Sequence, residues 1–286
     1  MEIGIVTPAG PHTSPEFLAE VGAITESRRF HSLWVPEHVI FFREHASRYP
    51  YSADGRIPGD PTGAMEPFVA LTWLAAHTRT VRLGTGICLV PQRAPIYTAK
   101  QVADLDFLSG GRVDFGVGIG WLREEFEALG VPWPDRAART RECIEVMKTL
   151  WCDEVSSFSG KFYQLPECLQ NPKPVQQPHP PIHFGGESDG ALRRVAELGQ
   201  GWYGFQFEPD GLRERIGRLE ALLAEAGRRL SDIQISVAPP TRHVSRDDAR
   251  RYADLGVDQL LLPIAAGRIE RFAAAADEAA ALIGTC

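Results

Sequence analysis

At 286 residues, with a formal net charge of -7, 44% hydrophobic and 23% charged residues, the chain has the balance of a folded globular protein, not of a disordered or fibrous one. The acidic balance argues against a surface that neutralises phosphodiester backbone, and no apolar run approaches the roughly 20 residues that cross a bilayer, so neither nucleic acid nor membrane is an expected partner. Cys88, Cys143, Cys152, Cys168 and Cys286 form no C-x-x-C pair, which points to free thiols in a reducing cytoplasm rather than disulfides or zinc.

Residues 1–6 enter a strand with no basic segment ahead of them, unlike a signal peptide. Strand signals then recur over residues 3–6, 32–35, 81–88, 113–117, 182–185, 202–205, 233–237 and 259–262. Helical signals alternate with them over 15–29, 66–77, 95–108, 134–151, 189–198, 209–226, 246–255 and 267–283. In the third helix Pro95 suits a first turn and Gly110-Gly111 can end the element. In the sixth, Leu212, Ile216, Leu219 and Leu223 form one apolar stripe. Alternation of this kind builds a parallel sheet covered by helices, and eight strands close it: the expected fold is a single α/β domain, a (β/α)8 TIM barrel.

Two segments break the rhythm. Residues 39–65, with Arg43, Arg48, Tyr49, Tyr51 and Arg56 among Pro and Gly, are too long for an ordinary connection and are expected to form a lid or substrate wall at the C-terminal rim. Residues 154–181 carry Pro166, Pro172, Pro174, Pro178, Pro180 and Pro181 and read as an insertion packed over the barrel at the same rim.

Chemistry is sparse. At the end of the second strand Glu37 and His38 set a carboxylate beside an imidazole able to give or take a proton at neutral pH, or to serve as a loop anchor. Gly84, Gly86, Gly116, Gly118 and Gly120 either let a ligand approach the backbone or relieve crowding inside a barrel. Phe184-Gly185-Gly186-Glu187-Ser188 leads from a strand into a helix start, a phosphate site in which Ser188 either binds the anion or caps the helix, and Glu187 is expected to point away. His77 reads as a helix cap and His183 as barrel wall, and no metal-site spacing is present. So few protein groups imply that a cofactor carries the reaction.

Leu83-Gly84-Thr85-Gly86-Ile87, Ser109-Gly110-Gly111-Arg112-Val113 leading to Gly116-Val117-Gly118-Ile119-Gly120-Trp121, and Asn171-Pro172-Lys173-Pro174 through Gly186 together resemble the bacterial luciferase-like superfamily, in its F420-dependent oxidoreductase branch. The resemblance implies a (β/α)8 barrel with an insertion before the fifth strand. It implies a ring held against a non-proline cis peptide at Gly86–Ile87, with Cys88, Leu89, Gly118, Gly120, Trp121 and Phe184 beside it, and a phosphate at Gly185, Gly186 and Ser188. His38 matches a position near the reacting edge, whereas Trp121 stands where the sugar-phosphate dehydrogenases of the branch carry an acidic glutamate. The implied activity is hydride transfer between F420 and a small organic substrate. The alternatives are an FMN-dependent monooxygenase and a non-catalytic flavin-binding protein. Arg43, Arg48, Arg56 and Arg93 are expected near the cofactor's acidic tail, and Trp34, Tyr49, Tyr51 and Trp121 around an aromatic pocket. By analogy a homodimer forms through Phe68, Leu71, Trp73 and Leu74.

Overall fold

A computed structural model of the protein describes residues 1–7, 9–10, 13–57 and 62–285. The alternation closes as expected. In chain order the elements are β1 (Glu2–Val6), α1 (Pro15–Ser27), β2 (Ser32–Val35), α2 (Pro67–His77), β3 (Arg82–Thr85), β4 (Cys88–Leu89), α3 (Pro95–Ser109) and β5 (Val113–Gly118). Then come α4 (Arg123–Ala128), α5 (Arg136–Cys152), β6 (Ser156–Ser159), β7 (Gln164–Cys168), β8 (Ile182–Gly185), α6 (Asp189–Leu198) and β9 (Gly201–Phe205). The chain ends with α7 (Pro209–Glu225), β10 (Gln234–Ala238), α8 (Arg246–Asp254), β11 (Gln259–Pro263) and α9 (Ile269–Ala280). Round the sheet the order is β3, β2, β1, β11, β10, β9, β8 and β5, with β5 pairing back onto β3, so eight parallel staves form a closed (β/α)8 barrel. The stave expected over residues 81–88 is divided: β3 and β4 both lie along β5, and between them the Gly86–Ile87 peptide is cis.

Helix ends follow the local sequence. Ser14, Glu66, Ser188 and Ser245 accept from the third amide of α1, α2, α6 and α8, and Gly110, left-handed at φ 71, stops α3. The His77 ring bonds the Trp73 carbonyl one turn back, as its cap role requires. Helix α4 has no counterpart among the expected elements, being too short to show an apolar period.

Successive strand residues face opposite sides, and this alternation makes two cores. Outside the staves one large cluster packs against the helices, and inside them lies a plug of Trp34, Tyr203, Ala238 and Leu261. The Trp34 ring meets His183 edge-on and Tyr203 at a tilt, each with centroids 5.4 Å apart. This plug decides between the two readings of the glycines. A Cβ on Gly84 would overlap the Trp34 ring, and one on Gly116 the Thr85 carbonyl and that ring. Cβ atoms on Gly118 and Gly185 would strike Ile87. Crowding within the barrel accounts for these four glycines. Trp34 itself is fully buried beneath the mouth, so it leaves the expected aromatic pocket.

At the other end of the barrel His183 is wall, as expected, with Nε2 3.6 Å from Asp114, whose carboxylate receives Arg82 Nε at 2.8 Å and Nη2 at 2.6 Å. Burial alone would raise the Asp114 carboxyl, but His183 and Arg82 outweigh it and hold it at about 2, against 3.8 unperturbed. The folded value lies below the unfolded one, so this carboxylate stabilises the fold above about pH 4 and the contribution, on the order of 2 kcal/mol, is lost as pH falls towards 2. Arg82→Met should lower stability near neutral pH and shrink the loss between about pH 4 and 2, because it raises the folded Asp114 value towards the unfolded one, read from urea midpoints between about pH 2 and 7.

The proline-rich insertion departs from its expected place. Its strands β6 and β7 form an antiparallel hairpin beside α5, and Lys173 and Gln176 then bond the carbonyls of Leu150 and Val113 at the C-terminal end of α5 and the start of β5. Those anchors lie at the N-terminal end of the barrel, so of the two segments it is residues 39–57 of the first that rise over the mouth, while residues 58–61 lie outside the described residues. Phe68, Leu71 and Leu74 are 4%, 0% and 0% exposed within the protomer's own core, which removes them as subunit contacts, whereas Val69 and Trp73 are 60% and 41% exposed.

Candidate active site

The mouth is built from the segments that leave β2, β5, β8 and β9. Immediately after β2, Glu37 and His38 diverge. Glu37, 4% exposed, accepts from the Leu89 amide and pairs with Arg93 at 2.7 Å. It anchors the loop after β4 and reaches no open surface, so the structure takes it out of the catalytic pair. Arg93 is likewise committed, to Glu37 and Glu66, and is not available for an acidic tail.

His38 instead meets Glu125, which the sequence reading did not single out. Nδ1 lies 3.2 Å from Glu125 Oε2, and Nε2 accepts from the Trp121 indole N–H at 3.3 Å. Because an indole N–H only donates, Nε2 is the unprotonated nitrogen, and Nδ1–H donates to the carboxylate. Glu125, fully buried on α4, also receives Gln92 Nε2 at 2.9 Å and the amides of Val39 and Ile40 at 2.7 and 3.3 Å. Burial would raise its carboxyl, but His38, Gln92 and the Val39 amide outweigh it and keep the group ionised below the usual carboxylate range. The neighbouring Glu124 takes the amides of Ala46 and Ser47 at 2.6 and 3.1 Å. The rim segment is thus tied down at two points by adjacent carboxylates.

Beyond these anchors the same segment supplies an aromatic wall. Tyr49 packs edge-on to Trp121 and Tyr51, and Tyr51 to Phe205, with centroid distances of 5.3, 5.5 and 4.8 Å. Tyr51 donates to Glu187 at 2.9 Å, which turns that carboxylate across the mouth and not towards the helix start, as expected. Burial raises the Glu187 carboxyl and, with the Glu187 charge, pushes Tyr49 up to about 12, so these phenols stay protonated donors. Below them Tyr203, 3% exposed, carries a hydroxyl with no hydrogen-bond partner among the described residues, 3.3 Å from where a Cβ on Gly86 would stand.

Of the remaining expected ligand contacts, Ile87 and Leu89 stay at the mouth beside Gly118, and Gly186 is left-handed at φ 100. Gly120, at φ 75, turns the chain beside Phe126 towards α4. Cys88 and Phe184 belong to the outer core and face helices, because alternation along their strands sends the neighbouring residues inward. Ser188 caps α6, accepting from the Ala191 amide at 3.2 Å, and so its hydroxyl is already engaged. No metal-binding group of His, Cys, Asp and Glu occurs among the described residues.

The closed barrel with a buried carboxylate–imidazole pair at its C-terminal mouth defines an enzyme scaffold of the (β/α)8 kind. Residues 1–282 match the model of the luciferase-like monooxygenases, and the chain belongs to that family. It is 33% identical over 265 residues to the uncharacterized protein Rv0953c of Mycobacterium tuberculosis, covering 90% of this chain and 92% of that one. The fold is similar to that of monooxygenase RslO1 from Streptomyces bottropensis, with a TM-score of 0.78 at 20% identity over 99% and 98% of the two chains. It is also similar to that of the coenzyme F420-dependent tetrahydromethanopterin reductase from Methanopyrus kandleri, with a TM-score of 0.75 at 17% identity over 97% and 98%.

Proposed function

We propose that the protein is an oxidoreductase that transfers a hydride between F420 and a small organic substrate, with His38 handling the accompanying proton. The observation that carries this reading is the orientation of His38: Glu125 fixes Nδ1–H, and unprotonated Nε2 is presented at the mouth, where it accepts from the Trp121 indole N–H that a substrate hydroxyl can replace. The residues present fit a flat heterocyclic cofactor. Tyr203 offers a buried donor without an acceptor beside Gly86, Ile87 lines the floor, and left-handed Gly186 opens the start of α6 to a phosphate.

When bound, F420 supplies or accepts the hydride. The chain's own work is proton handling and enclosure. In substrate oxidation a substrate hydroxyl takes the place of the Trp121 indole as donor to His38 Nε2, and the ionised Glu125 compensates the charge that the ring gains as it takes the proton. In reduction Nε2 returns it. The wall of Tyr49, Tyr51 and Trp121 excludes water and favours a substrate with an apolar or aromatic body.

F420 is favoured over FMN by the resemblance to the deazaflavin branch. The 33% identity over 137 residues to an FMNH2-dependent dimethylsulfone monooxygenase of Pseudomonas putida supports FMN-dependent oxygenation as the second reading. Titration with F420 and with FMN, followed by ring fluorescence, separates them: tight FMN binding with no F420 binding overturns the choice. Cys88, Cys143, Cys152 and Cys168 are free thiols, which suits a cytoplasmic setting, and Cys286 lies outside the described residues. No helix among the described residues is long and apolar enough to cross a membrane. We also propose a homodimer, now through exposed Val69 and Trp73 of α2 with Leu108 of α3, 67% exposed, and a monomer at micromolar concentration in light scattering would refute it.

A further inference from the structure

Glu187 stands at the mouth as a carboxylate without a cation. Tyr51 donates to its Oε2 at 2.9 Å, whereas Oε1 is a buried acceptor with no hydrogen-bond partner among the described residues. Arg215, on α7, bonds the Glu187 backbone carbonyl at 3.5 Å and gives its other arm to Glu214, so it does not pair with the carboxylate. Burial raises the Glu187 carboxyl, and the Tyr51 hydroxyl with the amides of Phe205 and Glu187 itself pulls the other way without completing a bond to Oε1. An acceptor left in that state costs free energy that a donor from outside the chain recovers.

The walls around it are aromatic. Tyr51 meets Phe205 at 81° and Tyr49 at 66°, and Tyr49 meets Trp121 at 69°. Rings set so steeply to one another turn faces as well as edges towards one space, and a ring face attracts cations. Burial keeps Tyr49, Tyr51 and Tyr203 protonated, and each also feels the Glu187 charge. The basic groups of the rim are spent elsewhere. Arg48 lies against Gly55 and bonds the Ala53 carbonyl, Arg93 is held by Glu37 and Glu66, and the His45 ring bonds the Ser47 carbonyl.

Charge selects the ligand. An anion here would meet a carboxylate and electron-rich ring faces, and a neutral donor would leave the carboxylate charge uncompensated. An ammonium group answers both needs: its N–H donates to Oε1, and its charge rests against the faces of Tyr49, Tyr51 and Phe205. Trp121 touches Tyr49 and His38, with ring centroids 5.3 and 5.7 Å away, so this box and the proton-handling imidazole share one wall. A ligand lying along that wall carries its amine at Glu187 and its reacting carbon beside His38.

We propose that Glu187, with Tyr49, Tyr51 and Phe205, recognises a cationic amine on the substrate, which makes the substrate an amino alcohol, or the corresponding amino ketone, with an apolar or aromatic body. The alcohol half of that assignment rests on the reading of the mouth as a hydride-transfer site. In the oxidation the carbinol C–H hydride passes to oxidised F420 and the O–H proton to His38 Nε2, while the ammonium keeps its protons. Amine binding is tested by itself with benzylammonium and its neutral counterpart benzyl alcohol, by calorimetry on the free protein and on protein loaded with whichever of F420 and FMN binds. Wild type should bind benzylammonium about 10- to 100-fold more tightly than benzyl alcohol. Glu187→Gln, which still accepts from Tyr51, should melt close to wild type, lose that preference and bind benzyl alcohol unchanged. Tyr49→Leu should weaken benzylammonium about 2- to 30-fold. Affinity of wild type for benzylammonium should fall as pH drops and Glu187 takes up a proton, a slope absent from Glu187→Gln. Equal binding of the two probes by wild type, binding of neither, or an unchanged preference in well-folded Glu187→Gln overturns the site. Amine binding that depends on Glu187, without hydride transfer from phenylethanolamine, keeps the amine site and overturns the hydride-transfer reading. Reduction of F420 by neutral carbinols with no preference for amines keeps that reading and overturns the amine site.

Discussion

His38→Ala is expected to cut turnover by about 100-fold or more while leaving cofactor affinity and melting temperature close to wild type. The expectation follows from Nε2, the unprotonated nitrogen that accepts from Trp121 at a mouth whose tyrosines are held protonated. Glu125→Gln sharpens it. A glutamine can still accept from the Val39 amide, but its NH2 would donate to Nδ1 and drive the imidazole to the opposite tautomer, with Nε2 protonated. A comparable tautomer reversal in the serine-protease triad costs about 10⁴-fold, so Glu125→Gln should lose between about 10² and 10⁴ in turnover with the fold retained. Single-turnover hydride transfer and a melting curve on each variant check this. Unaltered transfer in well-folded His38→Ala would remove the residue from the mechanism.

The second large effect concerns the barrel plug. Gly84→Ala should destabilise the protein by about 1–3 kcal/mol or more, because the new methyl would overlap the Trp34 ring, which is enclosed by His183 and Tyr203 and cannot retreat. Trp34→Leu alone should cost several kcal/mol through the space it leaves. The double variant should cost less than the sum by about 1–3 kcal/mol, since each change relieves the other, and urea midpoints for the four proteins measure that coupling. Strict additivity, with stable single variants that lose cofactor binding, would return Gly84 to the role of a ligand contact.

The staves were legible because each is a short apolar run between turn signals, and the order of such runs defines a closed parallel sheet. Which face each residue takes was less so. The resemblance puts Cys88 and Phe184 beside the ring through their place in or next to its motifs, whereas their side chains follow the strand's two-residue alternation into the outer core. His38 could be found locally, but its partner lies 87 residues away on a helix of six residues, where Arg123-Glu124-Glu125 reads as a solvated charged face. Tyr203 reads as ordinary strand aromatic, and only the enclosure of its hydroxyl marks it. Proline density signals an insertion but says nothing about which end of a barrel it covers.

Glu124 and Glu125 grip the rim segment through four backbone amides, those of Val39, Ile40, Ala46 and Ser47, to which Glu124 adds the Ser47 hydroxyl. Every amino acid except proline offers the amide handle, so this grip, unlike the Tyr51–Glu187 bond further along, is indifferent to the side chains carried between the four positions. The segment therefore behaves as a graftable cassette. Residues 41–45 and 48–57 can be exchanged or lengthened to recast the wall around a new substrate while the carboxylate that steadies His38 keeps its hold, and proline at any of the four gripped positions is the change the graft will not accept.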